Sequence, residues 1–157
     1  MTKSALILLI FVLVVALAMV IPSITRTIRK SKVSECAGHV HTLWHLRAQF
    51  ASSNDDRYIP FGGQYFMVLQ QAPKLRPRGY EQFYCPLTDE ERIPGRTSYR
   101  GPALLLKKLS QEDPCAADRE GNHGPGEGGN VLTLFGDVKE VGANDPLWIR
   151  ARTTTKE

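Results

Sequence analysis

The three cysteines and four histidines are the residues best suited to chemistry in this 157-residue chain. Cys36, His39, His41 and His45 crowd one stretch. His41 and His45 stand i, i+4, a spacing at which one helix face can grip a metal. On a helical wheel, however, Cys36 and His39 share one face, His41 and His45 fall on the opposite one, and Glu35 points to a different face from the His41–His45 pair. One helix cannot gather all four ligands, so the expectation is one core histidine and two solvated ones. Asp118, Glu120 and Asn122 alternate ahead of a glycine-rich loop, with Glu127 further on. Alternating oxygen ligands of that kind suit Ca²⁺, although Arg119 sits among them and the full EF-hand pattern is absent. No cofactor is expected beyond this candidate Ca²⁺. The odd cysteine count, Cys36, Cys85 and Cys115, allows one disulfide and one spare thiol outside the cytoplasm. Cys36 with Cys85 is the preferred pairing; three buried thiols is the other reading.

Catalysis would need a nucleophile with a base and an orienter, or a complete metal site. The chain has no Gly-x-Ser-x-Gly elbow, no His-Glu-x-x-His helix and no phosphate loop. Nothing in the spacing brings Cys85 to His123, so a thiol-dependent enzyme stands only as the different-class alternative. No small-molecule substrate is expected. The net charge of +4 arises from 20 Lys and Arg against 16 Asp and Glu. Much of the excess follows the apolar segment as Arg26, Arg29, Lys30 and Lys32, a collar suited to lipid headgroups. Basic residues do not interleave with aromatics as a base-stacking surface requires, so no nucleic-acid partner is expected.

The elements that position these residues begin with an uninterrupted apolar run from Ala5 to Ile21. At about 1.5 Å per residue it falls a few ångströms short of a roughly 30 Å hydrocarbon core, and Ser4 and residues 22–24 can extend it. Ala5, Leu6, Phe11, Val15 and Pro22 mark this anchor, over residues 1–24. A cleaved secretory signal would use the same features, with Lys3 as its positive end and Ala16-Leu17-Ala18 as its cleavage site. The residues around that site stay apolar, which favours an uncleaved span. The bilayer is then the first partner. By the positive-inside rule, the collar places its side of the membrane in the cytoplasm.

Residues 25–53 continue as an amphipathic helix with Val33, Val40, Leu43, Trp44, Leu46 and Phe50 around Cys36. Residues 54–146 form a loop-rich head. Tyr65 to Gln71 reads as a short helix. Gln82 to Cys85, Ser98 to Arg100 and Cys115 to Asp118 read as short strands, and Ala103 to Leu109 fits either state. The segment His123 to Gly129 must be a loop. Asn130 to Phe135 and Val138 to Val141, joined at Gly136-Asp137, predict a C-terminal β-hairpin. Residues 147–157 read as a tail, with Leu147-Trp148-Ile149 docking on the sheet and residues 153–157 frayed. The fold class is α+β: a long N-terminal helix packed on a small antiparallel sheet. The approximately 130 residues after the anchor suit one domain.

This plan resembles that of type IV pilins and pseudopilins. Pro22 stands where a proline closes the membrane half of the pilin helix. The stretch from Ser34 to Phe50 is similar to the post-anchor helix of a bacterial prepilin-type family with a C-terminal His-x9-Asp-Gly motif. Tyr84-Cys85-Pro86 resembles that family's aromatic-Cys-Pro element. Residues 117–123, then Gly128-Gly129-Asn130-Val131-Leu132, resemble its closing signature, with His123, Gly136 and Asp137 as further signature positions. The family's Asp-Gly turn is inverted here, after a longer loop. Family members carry a short leader ending in glycine and then Phe-Thr-Leu-Ile-Glu, whereas this chain opens Met1-Thr2-Lys3-Ser4-Ala5. The expectation is a divergent member without a processed leader and with Ala5 in the place of the glutamate. The resemblance implies a non-enzymatic, pilin-like or pseudopilin-like structural subunit of a pilus or type II secretion-type apparatus. It implies a single pass through the bacterial inner membrane, a head in the periplasm or outside (against the charge rule), and assembly with itself or with other pilin-like subunits. It also makes a calcium loop in the head more interesting, since pseudopilin heads use one. The alternative within the same fold is a monomeric, membrane-tethered binding module.

Overall fold

A computed structural model describes residues 3–53, 61–71, 80–88, 90–93 and 95–157. The first element is a single helix, α1 (Lys3–Ser53), with Pro22 inside it. The chain divides into two compact units, Met1–Ser31 and Lys32–Glu157, and α1 contributes to both.

In the first unit the apolar side chains, Phe11 and Val15 among them, are exposed from Ile7 to Ile28. The helix is long and apolar enough to cross a membrane. Pro22 cannot donate a backbone hydrogen bond. Just beyond it, Thr25 and Thr27 turn their hydroxyls back onto the carbonyls of Ile21 and Ser23, both at 3.0 Å, so these polar groups are satisfied within the helix.

In the second unit α1 buries Val33, Cys36, Val40, Leu43 and Arg47, at alternating steps of three and four, with Trp44, Leu46 and Phe50 partly buried beside them. Arg47 is the unexpected member of the stripe. Its guanidinium stacks 4.7 Å from the Tyr65 ring and 5.4 Å from the Phe50 ring, which gives a buried charge an aromatic environment. Helix α2 (Gln64–Met67) and a following 3-10 turn (Val68–Gln71) supply Tyr65, Phe66 and Leu69 to the same core.

The sheet has the order β4-β3-β2-β1-β5, with β1 Tyr99–Pro102, β2 Pro114–Asp118, β3 Gly129–Thr133, β4 Val138–Val141 and β5 Thr155–Lys156. Every pairing is antiparallel. Strand alternation divides the sheet between two cores. Ala116 and Leu132 join the α1 stripe, whereas Ala117 and Val131 pack with Trp148 and Ala151 of helix α3 (Pro146–Thr154). A register shift between Pro114 and Ala116 breaks the alternation, and Cys115 joins the α1 core as well. The C-terminal hairpin forms as expected, its turn closed by Gly136 at φ +104°. Gly128 is required because a Cβ there would stand 1.8 Å from the Val141 carbonyl oxygen.

Two expectations are corrected. Gln82 to Cys85 is not a strand. Tyr80–Phe83 is a 3-10 turn, and the Tyr84 and Thr88 amides donate back to Glu81 and Cys85, so this backbone is satisfied locally. The C-terminal segment is not frayed either. Asp145 caps α3 through the Leu147 amide (2.8 Å), Pro146 opens the helix, and β5 pairs with β1 at Gly101–Lys156 and Pro102–Thr155. Ala103 to Leu109 resolves into an irregular run ending in a 3-10 turn, Leu106–Lys108. Of the loop-rich head, residues 54–60, 72–79, 89 and 94 lie outside the described residues.

Leu43→Ala should destabilise the head by about 2–5 kcal/mol, because it opens a cavity between α1 and the sheet. Denaturant unfolding of the full chain in detergent measures this. Ile149→Ala, at an exposed position of α3, should stay within about 0.5 kcal/mol of the parent.

Candidate functional site

Three stretches far apart in sequence, around Cys36, around Cys85 and from Asp118 to His123, bring Cys36, Cys85, Asp118 and His123 together. One donor atom from each lies within 4.8 Å of all the others, and all four residues are buried. Cys36 sits on the buried stripe of α1. Its Sγ donates to Asp118 Oδ1 at 3.1 Å, with the Tyr99 hydroxyl at 3.6 Å. Cys85 follows the 3-10 turn, and its carbonyl accepts from both the amide (3.1 Å) and the hydroxyl (2.9 Å) of Thr88. Asp118 ends β2. Its Oδ2 accepts from the Asn130 amide at 2.7 Å and stands 2.9 Å from His123 Nε2. Gly129 makes room for this arrangement, since a Cβ there would lie 2.9 Å from the Asp118 Cβ and 3.0 Å from the Trp148 ring. His123 is carried by the glycine loop, which Asn122 fixes by donating its side-chain amide to the Ser98 carbonyl at 2.7 Å.

Burial, the Cys85 hydrogen bond and the nearby Asp118 charge all push the Cys36 thiol strongly upward. The hydrogen bond from Cys36 outweighs burial at Cys85 and, with a further one from His123, draws its thiol down to about 6. Burial opposes the charged form of His123. The hydrogen bonds and charges of Asp118 and Cys85 prevail and raise it to about 10. Cys36 and Cys85 are therefore shifted in opposite directions by the hydrogen bond they share. Cys115 stands outside it, its Sγ near the Leu132 carbonyl at 3.6 Å; burial pushes this thiol from 9.0 up to about 12 against opposing backbone hydrogen bonds.

The arrangement could hold a metal ion, or it could join Cys36 to Cys85. Acting as a nucleophile is harder, because the Cys85 side chain is 1 % exposed. A surface depression of about 450 Å³ reaches His123, Gly128 and Gly129 but is not lined by Cys85.

The sequence-derived candidates are distributed as follows. Cys36 and Cys85 are brought together as free thiols. The three residues considered for Ca²⁺ differ in surroundings. Asp118 is buried beside His123, Asn122 is buried and donates its side-chain amide to the Ser98 carbonyl, and Glu120 is exposed and pairs with Arg152 at 2.7 Å. His39 is half-buried, with Nδ1 3.1 Å from the Tyr84 carbonyl next to Cys85. His41 and His45 are exposed, with their Nε2 atoms 3.1 Å apart. Gly129 and Asn130 of β3 stand beside Asp118, Gly128 packs against the backbone of Val141 and Gly142, and Gly136-Asp137 forms the hairpin turn. Phe11, Val15 and Pro22 lie in the exposed part of α1; the side chains of Ala5 and Leu6 lie outside the described residues. The convergence of Cys36, Cys85, Asp118 and His123 is tertiary and has no local sequence signal.

Compared with protein-family models, with curated proteins and with solved structures, the chain has no significant match in any of the three.

The Cys115 thiol has a raised folded-state value, so its contribution to stability is complete below pH 9.0 and is lost as pH rises toward about 12. Unfolding free energy should therefore fall across this alkaline range. The fall should be shallower in Cys115→Ala, as read by denaturant titrations at graded pH.

Proposed function

We propose that this protein is a non-enzymatic, membrane-anchored structural subunit of pilin-like type. It would sit in the bacterial inner membrane with its head in the periplasm or outside. The observation that carries this reading is the single helix Lys3–Ser53. One continuous element presents bare apolar side chains over its first part and supplies the core stripe of an α+β head over its second. Such a helix serves a bilayer and a folded domain without a linker, which suits a protein whose work is to hold a head at a membrane. The burial of Cys85 and His123 supports a structural rather than a catalytic use of the only clustered thiol and imidazole groups among the described residues. Partners would be the lipid bilayer and further copies or other pilin-like subunits.

In spheroplasts of a bacterial host, the full chain should sediment with membranes, resist alkaline carbonate extraction and lose its head to protease added outside. In-cell crosslinking should give a ladder of multimers. A head protected from external protease, or a chain released by carbonate, would contradict the reading. A protease-sensitive head that crosslinks only as a monomer would instead favour the tethered binding module.

A further inference from the structure

We propose that Cys36, Cys85, Asp118 and His123 form a closed, tetrahedral structural site for a zinc-class divalent cation. The inference does not depend on the pilin-like reading. Around a tetrahedral Zn²⁺, with bonds of about 2.3 Å to sulfur and about 2.0 Å to nitrogen or oxygen, donors stand roughly 3.3–3.8 Å apart. The four donor atoms already lie within 4.8 Å of one another, so small side-chain rotations suffice.

The chemistry of the set selects the ion. Two sulfurs and an imidazole suit Zn²⁺ and exclude the hard cations Ca²⁺ and Mg²⁺, which take oxygen ligands. Four protein ligands in a buried position leave no room for substrate, as in structural rather than catalytic zinc sites. Outer contacts that orient the ligands are also in place. The Asn130 amide holds Asp118, the Tyr99 hydroxyl flanks Cys36, and Thr88 fixes the backbone of Cys85. The ligands come from α1, the turn before Pro86, the end of β2 and the glycine loop. A metal there would tie the turn at Cys85 and the glycine loop at His123, which have little regular structure of their own, to α1 and β2. In a small head whose sheet strands are four or five residues long at most, such a tie couples metal binding to folding.

The test uses the full chain, purified reduced in detergent without chelator. Elemental analysis should find about one equivalent of zinc per chain. Co²⁺ added to the stripped protein should give thiolate-to-metal charge transfer and the intense visible bands of a tetrahedral site, and Zn²⁺ should displace both. Cys36→Ser and Cys85→Ser should each lower occupancy by at least about tenfold, whereas Cys115→Ser should retain it. Circular dichroism checks that the variants remain folded, and the charge-transfer band of the parent chain reports sulfur ligation whatever the variants do. Three results would overturn the site. One is reduced parent protein that takes up no zinc. Another is a Cys36–Cys85 disulfide, found by non-reducing mass mapping, in protein isolated without reductant. The third is a Co²⁺ spectrum without sulfur bands that disappears in His41→Ala, which would place the ion on the exposed His41–His45 pair.

Discussion

The buried carboxylate of Asp118 is the contact on which the head is organised. It meets the long helix through Cys36, the glycine loop through His123 and strand β3 through the Asn130 amide. A fully buried carboxylate is tolerated only where its oxygens are satisfied and opposing charge is close. Its surroundings follow from that demand. Gly129 leaves the space, Asn122 anchors the loop that delivers His123, and the 3-10 turn with its Thr88 contacts places Cys85. The buried faces of β2 and β3 already specify the register, and the bonds to Asp118 add to it.

The second constraint is that one helix carries two kinds of surface. Its first part is exposed, apolar and long enough to cross a membrane, and beside Pro22 the Thr25 and Thr27 hydroxyls bond back to the helix. Its second part must present an apolar stripe, and the steps from Val33 to Leu43 do this. The exposed pair His41 and His45 and the half-buried His39 follow from the same helical spacing: a residue's place on the wheel, not its chemistry, decides whether it joins the cluster.

The helix and the hairpin were legible because their signals are local. The apolar run to Ile21, the period of Val33, Val40 and Leu43, and the turn at Gly136-Asp137 each announce an element within a few residues. The turn at Tyr80–Phe83 was misread as a strand because aromatic residues before a proline suit both states, and only the missing strand partner decides. The end of the chain was misread as frayed because its order depends on a distant partner, β1. Arg47 was not seen because a charged residue on an apolar stripe reads as solvated until the rings of Tyr65 and Phe50 are in place. Cys36 and Cys85 stood together as a candidate pair, but Asp118 was grouped with Glu120 and Asn122, and His123 with the signature loop. The alternation of Asp118, Glu120 and Asn122 suggested one cation site, whereas Asp118 ends β2 buried and Glu120 lies in the turn beyond it, at the surface. Which donors meet is a property of the packing of α1 on β2, and no spacing in the chain encodes it.

The central claim is that Asp118 ties helix, loop and strand together. Denaturant unfolding of the metal-free, reduced full chain, comparing the parent with Asp118→Ala, tests it most directly. A loss of about 3–5 kcal/mol is the expected result, because removing one member of a buried, mutually satisfied group leaves its partners uncompensated. A loss below about 1 kcal/mol, the size of an ordinary substitution, would contradict the account and leave the apolar cores as the organising feature.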